Sequence, residues 1–250
     1  MTTAKANGRS GAGPSAGSDV PGVSERARAR GKGSRRGARG RSLSREEIVA
    51  AALDLAETSG ESALSMRRIG EQLGVDATAF YRHFRDKDEL LVAMFDQILA
   101  MQIGPVTALT QDAGWRARLE LMAEVCWESQ RRYPVTFGIT FARVTGGEAE
   151  LTLVKFILGA LSQTGLPPRD IVRAYRTFVE SMLGMCGMQA NVDSLDPEYR
   201  ARDVAGWSRI YAAVPEAGFP GARRLGAELA QVSDEETYSL MVGAVLDWVE

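Results

Sequence analysis

The side chains of residues 77–85 have the types and spacing that suit contact with a nucleic acid. On a helix over 77–84, Phe80 and Phe84 lie four residues apart and face inward. Small, hydroxyl-bearing, aromatic and basic side chains then face outward: Ala77, Thr78, Tyr81, Arg82 and Arg85. An arginine can pair with guanine O6 and N7 through two hydrogen bonds, and a threonine can touch a thymine methyl. We therefore predict that residues 77–84, the recognition segment, enter a major groove of DNA.

Two basic residues beside the recognition segment are further candidates for DNA contact. Arg67 lies at the start of the preceding helix, where it can contact a phosphate or a base. Lys87 begins the following helix, where its ammonium and free backbone N–H groups can both hold a phosphate. Two candidates have a plain structural alternative, since Arg82 can be a solvated surface arginine and Tyr81 can pack against a neighbouring helix.

A short helix and a glycine turn precede the recognition segment. Met66, Ile69 and Leu73 recur at helical spacing, and Gly74 can end that helix at little steric cost. Asp76 can then cap the recognition segment by accepting backbone N–H bonds. Two short helices joined by such a turn form a helix-turn-helix, whose second helix enters the major groove.

Two longer helices flank this pair. Ser44 opens a capping-box sequence, and the helix that follows ends near Gly60. Asp86 starts the helix after the recognition segment, and we expect Gly104 and Pro105 to end it. That helix carries apolar residues on two sides: Leu90, Leu91, Met94, Phe95, Ile98 and Leu99. Because both sides are apolar, it is predicted to connect the DNA-binding helices to the rest of the chain.

The run from Ser44 to about Leu99 resembles the DNA-binding domain of the TetR family of bacterial repressors. Three groups of residues carry the resemblance: Gly74-Val75, Phe80-Tyr81-Arg82-His83-Phe84 and Lys87-Asp88-Glu89-Leu90-Leu91. The resemblance covers roughly a fifth of the chain. It implies that two copies bind a pseudo-palindromic operator and that the C-terminal part holds a small molecule. It also implies that His83 contacts a phosphate, for which a half-buried structural histidine is the alternative.

The N-terminal residues 1–42 are rich in Gly, Ser, Ala and Arg and lack periodic apolar positions. This composition predicts an arm that is disordered in isolation, because it cannot bury enough apolar surface to offset the entropy of ordering. Residues 1–45 hold 11 Lys and Arg against 2 Asp and Glu, whereas the remaining residues hold 19 against 30. Attraction to nucleic acid is therefore local. We expect the arm to lie on phosphates or in a minor groove, and a solubilising tail is the alternative.

The chain lacks the residue patterns of common enzymes and metal sites. Its one histidine, His83, lies in the recognition segment, so a Ser-His-Asp or Cys-His site would have to use it. Cys126 and Cys186 have no zinc-ligand partner a few residues away, and no P-loop or dinucleotide fingerprint is present. We therefore expect no enzymatic activity, no cofactor and no metal.

The same features bear on where the protein acts. Two cysteines do not make a disulfide framework, which favours a reducing cytoplasm. The N-terminus has no apolar stretch typical of a secretory signal, and no run approaches the length needed to cross a bilayer. We expect a soluble, cytoplasmic protein associated with the nucleoid.

Residues beyond 105 show helical periodicity throughout, with no alternating strand pattern. Helices are predicted over six segments: 112–133, 134–143, 148–163, 168–189, 197–214 and 233–249. Residues 191–232 are less regular than their neighbours. One stripe of apolar residues is predicted to be buried on the 148–163 helix: Leu151, Val154, Leu158 and Leu161.

Aromatic and sulfur-containing side chains recur on several of the C-terminal helices. They are Cys126, Trp127, Phe137, Phe141, Phe156, Phe178, Met182 and Met185. Apolar cavities with a few polar groups are what small ligands use, and methionine adapts to varied shapes. No charged residue is convincingly directed inward, so we expect a mainly apolar ligand. Plain core packing is the alternative for each of these residues.

Helices 168–189 and 233–249 carry large apolar faces and are predicted to form a dimer contact. Small residues would let these helices approach closely: Gly184, Gly187, Gly243 and Ala244. On the last helix the face consists of Met241, Ala244, Val245 and Trp248. In the family that the chain resembles, the corresponding helices of two subunits form a four-helix bundle. Burial against a second copy stabilises by about 25 cal/mol per Å², before the costs of association. Burial within one subunit is the alternative.

The chain as a whole is predicted to be all-α and to have three parts. These are a disordered basic arm over 1–42, a three-helix helix-turn-helix domain over 43–90, and a larger regulatory and dimerisation domain over 91–250. We expect a homodimeric repressor that binds double-stranded operator DNA and is released by a small molecule. An activator, a regulator without a ligand and a nonspecific DNA-binding module remain as alternatives.

Overall fold

The computed structural model describes residues 43–108 and 113–250, and every regular element in that part of the chain is a helix. The α-helices are α1 Arg45–Ser59, α2 Met66–Leu73, α3 Lys87–Thr107, α4 Trp115–Arg132, α5 Pro134–Thr140, α6 Glu148–Leu161, α7 Pro168–Asp193, α8 Pro197–Ala213, α9 Pro220–Leu229 and α10 Asp234–Val249. The all-α prediction is confirmed. The arm predicted over 1–42 lies outside the described residues.

Helices α1 and α3 begin at the side-chain caps that the sequence predicts. Ser44 Oγ accepts a hydrogen bond from Glu47 N at 3.1 Å, and the Glu47 carboxylate accepts one from Ser44 N at 3.0 Å. The Asp86 carboxylate likewise accepts from Glu89 N at 2.9 Å. These bonds satisfy N–H groups that the first turn of a helix leaves without a partner. Both helices therefore start at fixed residues on either side of the helix-turn-helix.

The recognition segment is a 3₁₀-helix over Ala77–Arg82, and not the α-helix over 77–84 that the pattern predicts. The turn before it matches the prediction, because Gly74 ends α2 in the left-handed region with φ +68°. The stretch between this glycine and the Asp86 cap is short. Short helical stretches often adopt the tighter i→i+3 geometry, which accounts for the difference.

Helix α3 continues past Gly104 and Pro105, which the sequence predicts as its end, and reaches Thr107. A proline in the last turn removes one helical hydrogen bond, and Ala108 N still donates to Gly104 O at 3.0 Å. By length and apolar composition α3 is also long enough to cross a membrane, contrary to the expectation that no run is. It packs against α1, α4, α5 and α6, and a buried core helix passes the same compositional test.

Helix α6 buries a different face from the predicted stripe. Ala149, Leu153 and Ile157 are buried, whereas Leu151 is 62% exposed and only Leu161 of the predicted stripe is buried. Apolar residues lie on nearly all sides of α6, so helical spacing does not decide which of them face the core. Packing against α3, α4 and α7 makes that choice.

Residues 191–232, which look less regular by pattern, contain α8 and α9, and these two helices pack against each other. Each has a proline at its first position, where a missing N–H costs no helical hydrogen bond. Helix α4 begins at Trp115. Asp112, the predicted start, lies outside the described residues.

The two helices predicted for dimer contact bury part of their apolar surface within one subunit. On α10, Tyr238 and Leu246 are buried while Trp248 is 58% exposed. On α7, Gly187 is buried, and a Cβ at this position would clash with the ring of Phe141. Gly187 therefore allows close contact with Phe141, the residue that follows α5 in the same chain, which corrects its assignment to the dimer contact.

Candidate nucleic-acid interface and C-terminal cavity

The recognition segment separates its aromatic anchors from its polar side chains. Phe80 and Phe84 are 0% and 1% exposed, whereas Tyr81 is 62% exposed and Arg82 is also exposed. The buried rings fix the segment to the core, and Tyr81 and Arg82 face solvent as the spacing predicts. Two other predicted contacts have side chains outside the described part: Ala77 and Thr78.

Arg45, at the start of α1, holds the recognition segment from the other side. Its guanidinium carbon lies 4.3 Å from the centroid of the Phe84 ring, a distance typical of a cation–π contact. Its Nη1 also donates to the carbonyl oxygen of His83 at 3.1 Å, and the His83 side chain is half-buried. Sequence reasoning missed Arg45 because its partner lies 38 residues away, and no spacing along α1 indicates it.

Three predicted contact residues are exposed cations, and within the described part of the chain two of them have no ion-pair partner. Arg82 and Lys87 form no ion pair with any described residue. Arg67 Nε donates to Glu71 Oε1 at 2.9 Å. An exposed pair of this kind, four residues apart on a helix, is worth about 0.3–0.5 kcal/mol. Arg67 can therefore exchange Glu71 for a phosphate at little cost.

The first turn of α3 also carries two carboxylates, and both are paired. Asp88 accepts from Nη1 and Nη2 of Arg143 at 2.6 and 2.7 Å, which holds the pKa of Asp88 below its ordinary value. Glu89 accepts from the backbone N and from Nε of Arg85 at 2.9 and 3.3 Å, and these bonds lower the pKa of Glu89. With both carboxylates paired, the ammonium of Lys87 and the positive end of the helix dipole remain available to an anion.

Two family models match the chain. Residues 48–94 match the model described as bacterial regulatory proteins, tetR family, and residues 108–234 match the tetracyclin repressor-like C-terminal domain. The second match alone covers slightly more than half of the chain. The chain belongs to the TetR family. The first match contains the recognition segment, and the second extends from before α4 to the first residue of α10.

Known proteins share parts of this TetR-family chain. DrrR1 of Streptomyces coeruleorubidus, an HTH-type transcriptional repressor, is 32% identical over 132 residues, which are 53% of this chain and 48% of DrrR1. The chain thus spans about half the length of that relative. ActR of Streptomyces coelicolor in complex with (S)-DNPA has a TM-score of 0.71 at 18% identity, covering 84% of this chain and 98% of ActR. That likeness is one of fold.

A third similar protein is bound to DNA. The structure of BioQ with its natural double-stranded DNA operator has a TM-score of 0.52 at 26% identity. The match covers 60% of this TetR-family chain and 88% of BioQ.

In this TetR-family chain a cavity of about 70 Å³ lies among α3, α4, α6 and α7. Most of its lining is apolar and includes Leu99 of α3. Four polar side chains also line it: Gln102, Arg143, Glu150 and Tyr175. Burial and the nearby charge of Glu150 raise the pKa of Tyr175. Two of the four polar side chains, Arg143 and Glu150, are charged, whereas the sequence indicates no charged residue directed inward.

Two of the predicted ligand contacts, Cys126 and Met182, line this cavity. The other six do not: Trp127, Phe137, Phe141, Phe156, Phe178 and Met185. Trp127, for example, stacks on Tyr238 with ring centroids 4.6 Å apart. The stacking of Trp127 on Tyr238 is core packing, which is the alternative given above for each of these residues.

The sequence pattern does not place Arg143 and Gln102 in the ligand site, for two different reasons. Arg143 lies in the loop between α5 and α6, so no helical period marks it. Gln102 does have a signal, because it continues the spacing of Phe95 and Leu99 along α3. A polar residue within an apolar stripe is informative when it is buried.

The environment of Cys126 is not that of a reactive thiol. Cys126 and Cys186 are buried and free. A hydrogen bond with Cys186, together with burial, raises the pKa of the Cys126 thiol, and this disfavours the reactive thiolate. Among residues 43–108 and 113–250, no group of three or more His, Cys, Asp or Glu side chains is placed to hold a metal ion.

Proposed function

We propose that this TetR-family chain binds a palindromic DNA operator as a homodimer, represses transcription, and is released by a small molecule. The observation that carries the proposal is the recognition segment, in which Tyr81 and Arg82 are exposed above the buried Phe80 and Phe84. Lys87, at the N-terminus of α3, adds a site where a phosphate is favoured. The operator complex of BioQ supports the proposal by relationship.

Two copies of the recognition segment would occupy successive major grooves, about 34–36 Å apart. Arg82 would contact a base or a phosphate, and Tyr81 a phosphate. Further contacts would come from Arg67, Ala77, Thr78, His83 and Lys87. The arm over 1–42, outside the described residues, would add an attraction to phosphates that weakens with salt. We assign this activity to the cytoplasm, at the nucleoid.

The proposed division of labour places DNA binding in residues 43–90 and regulation and dimerisation in residues 91–250. Exposed apolar residues on α10 support the dimer. Leu240 and Trp248 are 66% and 58% exposed, and Ala244 between them is also exposed. Their spacing of four residues forms one stripe on the helix. A second copy would remove this stripe from water, which is favourable in proportion to the apolar area buried.

Release requires that the cavity affect the recognition segment, and Arg143 offers a route. Arg143 lines the cavity and forms the two hydrogen bonds with Asp88 in the first turn of α3. A ligand that moved Arg143 would change the support of that turn, next to Lys87. Shifting the population from 1:99 to 99:1 requires a difference in ligand affinity between the two states of about 5.5 kcal/mol. The complex of ActR with (S)-DNPA supports a small-molecule effector.

The decisive test is to footprint the purified protein on the DNA that flanks its own gene and then to compare Arg82→Ala with the parent. The substitution is expected to weaken specific operator binding by about 1–3 kcal/mol, while the molecular mass in solution stays that of a dimer. Arg224→Ala is the matched control, because Arg224 is an exposed arginine on α9. This variant should bind the operator as tightly as the parent does. Unchanged binding by Arg82→Ala would remove this residue from the interface.

Three further measurements separate the alternatives. If random duplex competes as well as the footprinted palindrome, the chain is a nonspecific DNA-binding module. If no compound in a thermal-stability screen of small metabolites stabilises the protein or releases it from DNA, it is a regulator without a ligand. Binding upstream of a gene whose transcription falls when the protein is deleted would make it an activator.

A further inference from the structure

One polar side chain in the wall of the cavity is buried without a partner. Gln102 of α3 is 1% exposed, and neither its Nε2 nor its Oε1 has a hydrogen-bond partner among the described residues. A buried donor and acceptor that remain unsatisfied destabilise a folded chain. A specific unsatisfied group of this kind therefore needs an explanation.

Gln102 lies on the face of α3 that lines the cavity. Phe95, Leu99 and Gln102 follow one another at i, i+4 and i+7, so they share one face of the helix, and all three line the cavity. Val106, one turn further, is also buried. An apolar residue at 102 would complete this face, but the chain has a carboxamide there.

We propose that Gln102 is the polar anchor of the small-molecule site, and that its ligand carries a hydrogen-bond donor beside an acceptor on an apolar frame. Lactams and imides have such an edge. A carboxamide offers N–H donors and a carbonyl acceptor, so a cis-amide edge satisfies both of its ends at once. This inference rests on the small-molecule part of the proposed function and specifies the chemical class of the ligand.

Two of the three other polar side chains in the lining, Arg143 and Glu150, are already engaged. Arg143 donates to both carboxylate oxygens of Asp88. Glu150 Oε2 accepts from Thr145 Oγ1 at 3.1 Å and from Gly146 N at 2.6 Å. A ligand that used these charges would first have to displace existing contacts, whereas the amide of Gln102 has none to give up.

The size of the cavity shows that its wall must move when a ligand enters. Its volume of about 70 Å³ is well below the roughly 300–1,000 Å³ of typical ligand sites. Met122 and Met182 belong to the lining, and their unbranched side chains can take other rotamers. These two methionines are therefore suitable reporters of binding.

The experiment compares two small ring compounds that differ at one position, δ-valerolactam and cyclohexanone. The lactam has an N–H where the ketone has a CH₂, so the ketone lacks the donor. Each compound is titrated into the full-length protein without DNA, and binding is followed by the methyl NMR signals of Met122 and Met182. The ratio of lactam to ketone affinity is expected to be about tenfold higher in the parent than in Gln102→Leu, since one buried hydrogen-bonded pair is lost.

Gln130→Leu is the matched control. Gln130 on α4 is 0% exposed and its amide also lacks a partner among the described residues, but it does not line the cavity. This variant should keep the preference of the parent for the lactam. Gln102→Met, close to glutamine in length, replaces Gln102→Leu if the latter does not fold.

Two results would overturn the inference. One is an unchanged ratio of the two affinities in the Gln102 variants, and the other is the absence of a saturable shift at Met122 and Met182 with either compound. Because the readout contains no DNA, failure of operator binding leaves the lactam preference measurable. The two proposals can therefore fail separately.

Discussion

The DNA-binding end of the chain and the helices around the cavity distribute their polar and apolar side chains in opposite ways. In the first region aromatic residues such as Phe80 are buried and cations such as Arg82 are exposed. In the second region Gln102 is buried without a partner among the described residues, and on the neighbouring helix α10 apolar residues such as Trp248 are exposed. The first arrangement is complete within one chain, and the second leaves groups that another molecule can satisfy.

This difference indicates where each proposed partner binds. A surface that carries exposed, unpaired cations suits a strongly hydrated polyanion such as DNA, which is bound mainly through its phosphates. Buried amides and exposed apolar stripes are costly in an isolated chain. They suit a ligand inside the fold and a second copy of the chain outside it.

The largest expected effect tests the separation of buried and exposed side chains within the recognition segment. Phe80→Ala should lower the free energy of unfolding by about 3–5 kcal/mol, because it removes a fully buried ring. Tyr81→Ala, one residue further and 62% exposed, should change it by about 0.5 kcal/mol or less. Urea unfolding followed by circular dichroism measures both. Equal losses in the two variants would show that the segment does not separate its faces.

The next effect tests the buried amides of the second region. Gln130→Leu should raise the free energy of unfolding by about 1–3 kcal/mol, because it replaces an unsatisfied buried amide with an apolar group. Thr140→Val is the control, since Thr140 is buried but donates to Thr136 O at 2.6 Å. That variant should lose stability. A destabilised Gln130→Leu would mean that the amide is satisfied in solution.

The comparison also explains what the sequence predicts and what it does not. The caps at Ser44 and Asp86, the turn at Gly74 and the burial of Phe80 and Phe84 all depend on residues within a few positions of one another. Local spacing determines these features, so they are predicted correctly. The helix type of the recognition segment is the local exception, because spacing distinguishes inside from outside and not a 3₁₀-helix from an α-helix.

Features that depend on residues far apart in the chain are not predicted by the sequence pattern. The ion pair of Arg143 with Asp88 joins residues 55 positions apart, and the contact of Gly187 with Phe141 joins α7 to a loop. The buried face of α6 is decided by three other helices. Aromatic residues proposed for the ligand site were chosen by type, and only packing decides which of them reach a cavity.

A smaller effect concerns a contact between the two regions. Glu57 of α1 accepts from Val135 N at 3.1 Å, from Thr136 N at 2.9 Å and from Thr136 Oγ1 at 2.7 Å, so it caps α5 from outside. Glu57→Ala should lower the free energy of unfolding by about 0.5–2 kcal/mol, as loss of a helix cap does. Glu57→Gln should lose less, because its carbonyl oxygen can still accept. Identical urea midpoints for the alanine variant and the parent would contradict this role.

The smallest effect concerns a second contact between the regions, the pair of Asp88 and Arg143. Its side chains are 62% and 40% exposed, so salt should screen the interaction. Because the hydrogen bonds from Arg143 lower the pKa of Asp88 in the folded chain, the pair stabilises the fold above the unfolded pKa of about 3.9. The stabilisation disappears as the pH falls through the folded pKa of Asp88.

Carboxyl NMR titration should therefore show a higher Asp88 midpoint in Arg143→Ala than in the parent, and a smaller difference in high salt. Arg131→Ala, which removes an arginine paired with Glu128 and Glu235, should leave the Asp88 midpoint unchanged. The same Asp88 midpoint with and without Arg143 would show that the two regions are not joined there, and the route proposed for release would lose its first step.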